Sequence, residues 1–318
     1  MSANRSRSRT VEGSAASPVS YEGFDFRSLW VGREKTTAIE LAIARAAFGG
    51  GSRERVLDAG AGFGRLFLPL RRDFRESVGL DANRVELAEL ARASRGDPAA
   101  RFAVGNLYHL PFVDGAFSGA MMLRVYHHLA EPARVLAELR RVVAPGGRVL
   151  VSFVPGGTLA AGLAGVASRL RDTPWTPAWR SAFRGAEFVR LAETPFPIYS
   201  GTADHFARMA REAGLVVERE YRSGIEDFFP FRYLPLRSLL GLSLRFRPLP
   251  FMLTTFALCR VPGSPTRPLP ALDEVFACPR CQRALGVDPK RDGTITCPHC
   301  GPVGAAHDLL PDLRFPPG

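Results

Sequence analysis

The sequence predicts an α/β fold with a central sheet, followed by a small cysteine-bearing module. Three observations lead there. Between residues 36 and 155, short apolar runs alternate with stretches of helical periodicity, the rhythm of βαβ units and a parallel sheet. The first apolar run ends in a glycine loop, "VLDAGAGFGR", residues 56–65. The carboxy-terminal region carries two C-x-x-C pairs, "CPRC" and "CPHC".

Each element can be justified in turn. Residues 1–20, "MSANRSRSRTVEGSAASPVS", are polar and lack the apolar stretch of a secretory signal, so they read as a disordered tail. "YEGFDFRSLWVGRE", 21–34, places aromatic residues just ahead of the fold. "KTTAIELAIARAAF" has helical periodicity; "RVLDAG" is a strand, and "GRLFLPLRRDF" the helix after it. "ESVGLDA" is a second strand ending in an acid, followed by the helix "RVELAELARAS". The strands "ARFAVGN" and "FSGAMMLRV", the helix "PARVLAELRRVV", the turn "APGG" and the strand "RVLVSFV" continue the pattern. It breaks at an insertion, 155–200, that holds Trp175, Trp179, Phe183, Phe188, Phe196 and Tyr199. It resumes with the helix "ADHFARMAREAG" and the strand "LVVEREY". A second insertion, 224–250, precedes the last strand, "FMLTTFALCRV". These strands number seven, apolar on both faces as a sheet covered by helices on both sides requires. The first unit thus spans 21–261, a proline-rich linker 262–272 and the cysteine module 273–318.

At 318 residues and 46% hydrophobic content the chain can bury a sizeable core across about two domains. The net charge of +11 suits anionic partners, yet the arginines are scattered rather than gathered in one block. The most apolar region, 228–259, is interrupted by Arg232, Arg237, Arg245 and Arg247, so no spanning helix is expected and a cytoplasmic location is.

Glycines after a first strand let the backbone turn tightly and approach a ligand, since no Cβ intervenes. The spacing here is G-x-G-x-G, at Gly60, Gly62 and Gly64, with Asp58 two residues ahead. That is neither the G-x-G-x-x-G of dinucleotide folds nor a G-K-[ST] phosphate loop. The order D-x-G-x-G-x-G resembles the first motif of class I S-adenosylmethionine-dependent methyltransferases. The resemblance continues through Asp81, "VGNLYHLPF", "FSGAMMLRVYHHL" and "EPARVLAELRRVVAPGGRVLVSF", covering roughly residues 35–155. It is strongest to the ubiquinone- and sterol-methylating branch, and it implies a Rossmann-like fold with a mostly parallel seven-stranded sheet. It implies cofactor contacts from Asp58, Gly60, Ala61, Gly62, Gly64, Asp81, Ala82, Asn106, Leu107 and Arg124. Asp81 stands where the family places an acid on the ribose hydroxyls. Asn106 replaces the acid that receives the adenine amino group; its amide oxygen can still accept. Ser118 replaces a common Asp.

Methyl transfer from a sulfonium is an in-line displacement, so alignment and exclusion of water matter most, and a base only for acceptors that must lose a proton. His127 and His128, after the fourth strand, are the candidates for such a base. The aromatic insertions suit an acceptor pocket.

Cys278, Cys281, Cys297 and Cys300 form two C-x₂-C pairs separated by 15 residues, a zinc signature. Four thiolates leave no open coordination position, so this zinc is structural. The module resembles the small zinc-ribbon activator proteins that partner RNA and protein methyltransferases. Cys259 reads as buried core. The expectation is therefore a methyltransferase using S-adenosyl-L-methionine, with a structural Zn²⁺. A small-molecule acceptor, aromatic or natural-product-like, is favoured by the aromatic insertions and the "HHL" segment. The ribbon and the basic charge keep an RNA acceptor open, and Asn106 and Ser118 a non-catalytic cofactor-binding scaffold.

Overall fold

The computed structural model describes residues 25–155, 188–192, 198–226, 230–245, 254–286, 293–307 and 310–314. The amino-terminal tail, most of the first insertion, 227–229 and 246–250 of the second, and the side chains of Trp175, Trp179, Phe183, Phe188 and Phe196 lie outside the described residues.

Apolar runs become strands, amphipathic runs the helices that cover them. In chain order these are α1 (Glu34–Phe48), β1 (Arg55–Ala59), α2 (Phe67–Leu70), β2 (Glu76–Asp81), α3 (Arg84–Ala93), β3 (Ala100–Val104), β4 (Phe117–Met122), α4 (Pro132–Val142) and β5 (Val143–Phe153). There follow β6 (Phe188–Ala192), β7 (Ile198–Gly201), α5 (Ala203–Glu212), β8 (Val216–Ser223), α6 (Leu236–Arg245) and β9 (Thr254–Arg260). The cysteine module contributes β10 (Gly293–Cys297), β11 (Gly301–His307) and β12 (Leu310–Asp312).

Local chemistry sets the helix starts. Asn83 caps α3, its side chain accepting from the N–H groups of Val85 and Glu86, and Thr202 caps α5 by accepting from His205. Pro132 opens α4, whose Val135, Leu136, Leu139 and Val142 form one buried stripe. The helix expected after the glycine loop is one turn, Phe67–Leu70, and a 3₁₀ turn; Pro69 offers it no N–H. The "APGG" turn lies inside β5, where the register to β4 shifts and Gly146 takes φ +81°.

The strands line up as β10-β11-β12-β3-β2-β1-β4-β5-β9-β8. From β3 to β5 all pairings are parallel, and β9 and β8 add antiparallel. The run β3-β2-β1-β4-β5-β9-β8 is the Rossmann-like sheet of seven expected strands, and β6 and β7 pair antiparallel in a separate two-stranded sheet. Neighbouring residues on one strand feed opposite faces. Val56 and Leu150 join Ile39, Ile43 and Phe256 under α1 and α6. Leu57, Val149 and Val151 join Leu136, Leu139 and Phe206 under α4 and α5. Cys259 is fully buried, as expected.

The sheet has ten strands rather than seven, because the cysteine module continues it. β12 pairs parallel with β3, and Leu313 N–H donates to the Val104 carbonyl at 2.8 Å. Upstream, Val113 N–H donates to Val275 and Ala277 N–H to Pro111, both at 2.9 Å, closing a bridge between Phe112 and Phe276. Their rings lie 5.8 Å apart, and Val275, Phe276, Cys278 and Leu313 share one core with β1 and β4.

Candidate functional site

The strand order reverses between β1 and β4, and a crevice at the carboxyl ends of the strands is where such sheets hold ligands. A cavity of about 210 Å³ lies there. Asp58, Gly60, Ala61, Gly62, Asp81, Ala82, Asn106, Leu107, Arg124 and His128, all singled out in the sequence, line it. Gly64 and His127 do not.

The glycine loop is shaped by contacts that only glycine permits. Gly60 has φ +97° and Gly64 φ +84°. A Cβ on Gly60 would collide with Val125, and one on Gly64 with Leu90 of α3. Gly64 thus serves helix packing beneath the cleft. Gly62 N–H donates to Asp81 Oδ2 at 2.7 Å, and Asn83 N–H to Asp81 Oδ1 at 2.8 Å. The Asp81 carboxylate is therefore fixed at the tip of β2, with lone pairs left for a ligand.

Three acids meet in this cavity, and each is pushed above the usual carboxylate range. Burial raises Asp58 to about 7; the Asp81 charge adds to this and Arg65 opposes it. Burial raises Glu86 to about 7 as well, against the hydrogen bond from Phe26 N–H. Burial raises Asp81, while the N–H groups of Asn83, Gly62 and Ala82 pull the other way. Such a group of reluctant anions favours a cationic ligand.

A cationic pair lines the same cavity, Arg65 close enough to Asp58 to draw its carboxyl down. Glu40, fully buried on α1, accepts from Arg65 at 2.5 Å and from Arg124 Nε at 2.6 Å. The Arg65 guanidinium sits 3.4 Å from the centroid of Trp30. Arg124 adopts φ +64°, rare for a side-chain-bearing residue, and its N–H is tied to Ser152 Oγ at 2.7 Å. Phe26, Trp30, Arg65, Glu86 and Tyr108 also line the cavity and were not singled out in the sequence. Only the aromatic content of 21–34 signalled any of them.

The two histidines separate. His128 faces the cavity; His127 packs against it, ring centroids 4.1 Å apart. Burial, then the neighbouring His128 and Arg124 charges, push His127 well below the ordinary imidazole range, leaving it neutral at pH 7. Asn106, 3% exposed, accepts from Tyr108 N–H through Oδ1 at 3.0 Å, so part of its acceptor capacity is spent within the loop. Ser118 lies near the start of β4, away from the cleft: its hydroxyl accepts from Arg55 N–H and donates to the Arg55 carbonyl, both at 2.9 Å.

In the cysteine module the ligand atoms of Cys278, Cys281, Cys297 and Cys300 all lie within 4.8 Å of one another, and all four cysteines are free thiols. Cys281 Sγ and Cys297 Sγ are 3.6 Å apart, close to the roughly 3.8 Å edge of a tetrahedron with Zn–S bonds of about 2.3 Å. The cluster fits a closed tetrahedral metal site.

In sequence, part of the chain is similar to known methyltransferases. Residues 57–151 match the family model described as "Methyltransferase domain". The chain is 36% identical over 126 residues to a demethylmenaquinone methyltransferase of Thermus thermophilus, covering 39% of this chain and 54% of that protein. It is 30% identical over 179 residues to a Mycolicibacterium smegmatis protein named "Probable S-adenosylmethionine-dependent methyltransferase", covering 54% and 65%. The chain thus spans less than two thirds of the length of these relatives. Among solved structures, an S-adenosylmethionine dependent methyltransferase from Mesorhizobium loti is similar, at 18% identity and a TM-score of 0.49 over 71% of this chain and 99% of that one.

Proposed function

We propose that this chain is an S-adenosylmethionine-dependent methyltransferase acting on a small-molecule acceptor, with a structural zinc in its cysteine ribbon. One observation carries the reading: a single cavity gathers the glycine loop, Asp81 and Asn106, all inside the stretch that matches the methyltransferase domain model. The cofactor supplies a methyl group already activated on a sulfonium.

The protein's own residues bind, orient and exclude water. Gly60 and Gly62 admit the backbone close to the ligand. Asp81, held by two N–H groups, presents oxygens suited to a ribose diol. Asp58 and Glu86 set negative charge against a cationic ligand, and Arg65 and Arg124, steadied by Glu40, suit the carboxylate of its amino-acid end. His128, at the cavity, is the candidate base where the acceptor must lose a proton; neutral His127 holds its ring in place. Four thiolates from Cys278, Cys281, Cys297 and Cys300 would hold Zn²⁺ without an open position, which makes the ion a brace rather than a reactant.

A small acceptor is supported by the similarity to a demethylmenaquinone methyltransferase and by the apolar Leu123, Val125 and Leu129 beside His128. The ribbon turns Val275, Phe276 and Leu313 into the shared core, which suits a brace better than an open RNA grip. The test is methyl-labelled cofactor incubated with purified protein and fractionated cell extract. Label in an organic-extractable fraction is expected. Label in an RNase-sensitive fraction would replace the small molecule by RNA, and absence of label in every fraction would remove the catalytic reading.

A further inference from the structure

Among the described residues, the exposed large apolar side chains are Leu29, Val31, Val85, Val216 and Tyr233. Single exposed apolar residues are ordinary, and it is their placement that informs. Four of the five gather at one edge of the sheet.

The topology defines that edge. β5 and β8 both pair antiparallel with β9, so β8 runs in the direction of β5 and the parallel core. The chain therefore leaves β8 at Ser223 on the carboxyl edge, where the cavity lies, and returns opposite it at Thr254. Tyr233, 72% exposed, belongs to the segment between. Lys35 Nζ holds that segment to the first turn of α1, donating to the Arg232 and Leu234 carbonyls at 2.8 and 3.0 Å. Leu29 and Val31, the latter 82% exposed, flank Trp30, which lines the cavity. The turn that leads to them, Phe26–Trp30, is tied to α3: Phe26 N–H donates to Glu86 Oε1 at 3.0 Å, and Arg27 pairs with Glu89. Val85, 62% exposed, stands beside Glu86 at the start of α3, just past the carboxyl end of β2. Val216 begins β8 and so marks the opposite edge.

Cations are interleaved with these four. Arg33, Lys35, Arg84 and Arg232 each lie within four residues of one of them, and among the described residues none of these cations is in an ion pair. Against them stand the exposed acids Asp25 and Glu34, while Glu89 is taken by Arg27. The edge is net positive. Apolar side chains set singly among cations suit a water–lipid boundary, where they enter the acyl region and the charges stay at anionic headgroups. A protein partner would call for a contiguous apolar centre poor in charge. Nucleic acid would leave Val31 and Val85 without an apolar counterpart. We infer that the carboxyl edge around the cavity is a docking surface for an anionic lipid bilayer. One consequence rests on the acceptor reading above: docking sets the cavity against the phase in which apolar acceptors concentrate.

The experiment is flotation of the full chain with vesicles of phosphatidylglycerol and phosphatidylcholine in equal parts, beside vesicles of phosphatidylcholine alone. The wild type should rise with the anionic vesicles and bind the neutral ones at least about tenfold more weakly, since each Lys or Arg near an anionic surface is worth about fivefold. Val31→Asp with Tyr233→Asp should lower binding to the anionic vesicles at least about tenfold, whereas Val216→Asp at the far edge should leave it within about twofold. Arg33→Glu with Arg232→Glu reaches the same edge through charge alone and should also cost at least about tenfold. A wild type that stays at the bottom of the gradient with anionic vesicles would overturn the inference. So would a loss from Val216→Asp equal to that at the carboxyl edge. A wild type that shifts RNA in a gel and does not float would assign the edge to nucleic acid instead. Cofactor binding enters none of these outcomes, so the methyltransferase reading and this one fail separately.

Discussion

The centre and the β3 edge of the parallel core are held by different physics. At the β1–β4 crossing, the cleft rests on strands buried on both faces, and its shape follows from apolar packing and glycine clearance around Gly60, Val125 and Leu90. At the β3 edge, the short strands β10 to β12, with Gly301 and Gly304 inside β11, present few large apolar side chains of their own. There the buried thiols Cys278 and Cys297 stand where Leu or Phe would stand in a larger core. Yet the weaker edge touches the stronger site. Leu313 is bonded to Val104, Ala277 to Pro111, and Arg314 reaches the Ala82 carbonyl at 3.4 Å. Those three contacts flank the segment from Ala82 to Pro111 that walls the cleft. A region that cannot bury enough surface alone is thus tied to one that can, and a closed metal site is the economical way to keep it folded.

The comparison can be broken most severely at the metal. Stripping the proposed zinc with a strong chelator, or replacing Cys297 by Ser, should unfold the ribbon, since structural zinc contributes on the order of 10 kcal/mol to such small modules. Hydrogen exchange should then show β10 to β12 unprotected while β1 and β4 stay protected. Loss of protection throughout would mean that the two regions fold as one unit.

Next in size is Gly60→Val, whose side chain would run into Val125. Cofactor binding should fall below detection in calorimetry, with an unchanged far-ultraviolet spectrum.

A smaller effect separates the charged cleft from the neutral ribbon contacts. With Asp58 and Glu86 each raised to about 7, a cationic ligand must bind their ionised forms. Protons carried by the free protein at low pH are released on binding, so affinity is full above pH 7 and is lost as pH falls through it. Titrations should show affinity rising up to about tenfold per pH unit for each proton released, with a matching buffer-dependent heat. A flat profile would remove both acids from the ligand's field. The least effect is expected from Arg314→Ala, which removes one long hydrogen bond from the ribbon to Ala82 and should weaken binding only about twofold to fivefold.

Much of this was legible in the chain. The seven strands, the helix stripes and the glycine loop are written in short-range pattern: Val135, Leu136, Leu139 and Val142 recur at helical spacing, and Asp58 and Asp81 each end an apolar run. What stayed hidden depends on distant partners. β12 joins β3 through a single register pair, Asp312 with Val104, which no periodicity marks. Glu40 finds Arg65 and Arg124 across three elements, and a lone Glu in a helix looks like any solvated one. The difference between His127 and His128 is one of ring direction, and adjacent identical residues cannot show it. The orientation of the Asn106 amide turns on the N–H of Tyr108, a backbone group without sequence identity.

The central claim is that the cleft at β1 and β2 holds S-adenosylmethionine through Asp81. Its most direct measurement is calorimetric titration of the full, zinc-loaded chain with S-adenosyl-L-homocysteine, beside the Asp81→Ala variant. The account predicts one site in the wild type and a loss of roughly 10- to 100-fold in the variant, the about 1.5–3 kcal/mol of hydrogen bonds to a charged acceptor. Equal affinity in both proteins, or no binding to the wild type, would contradict it.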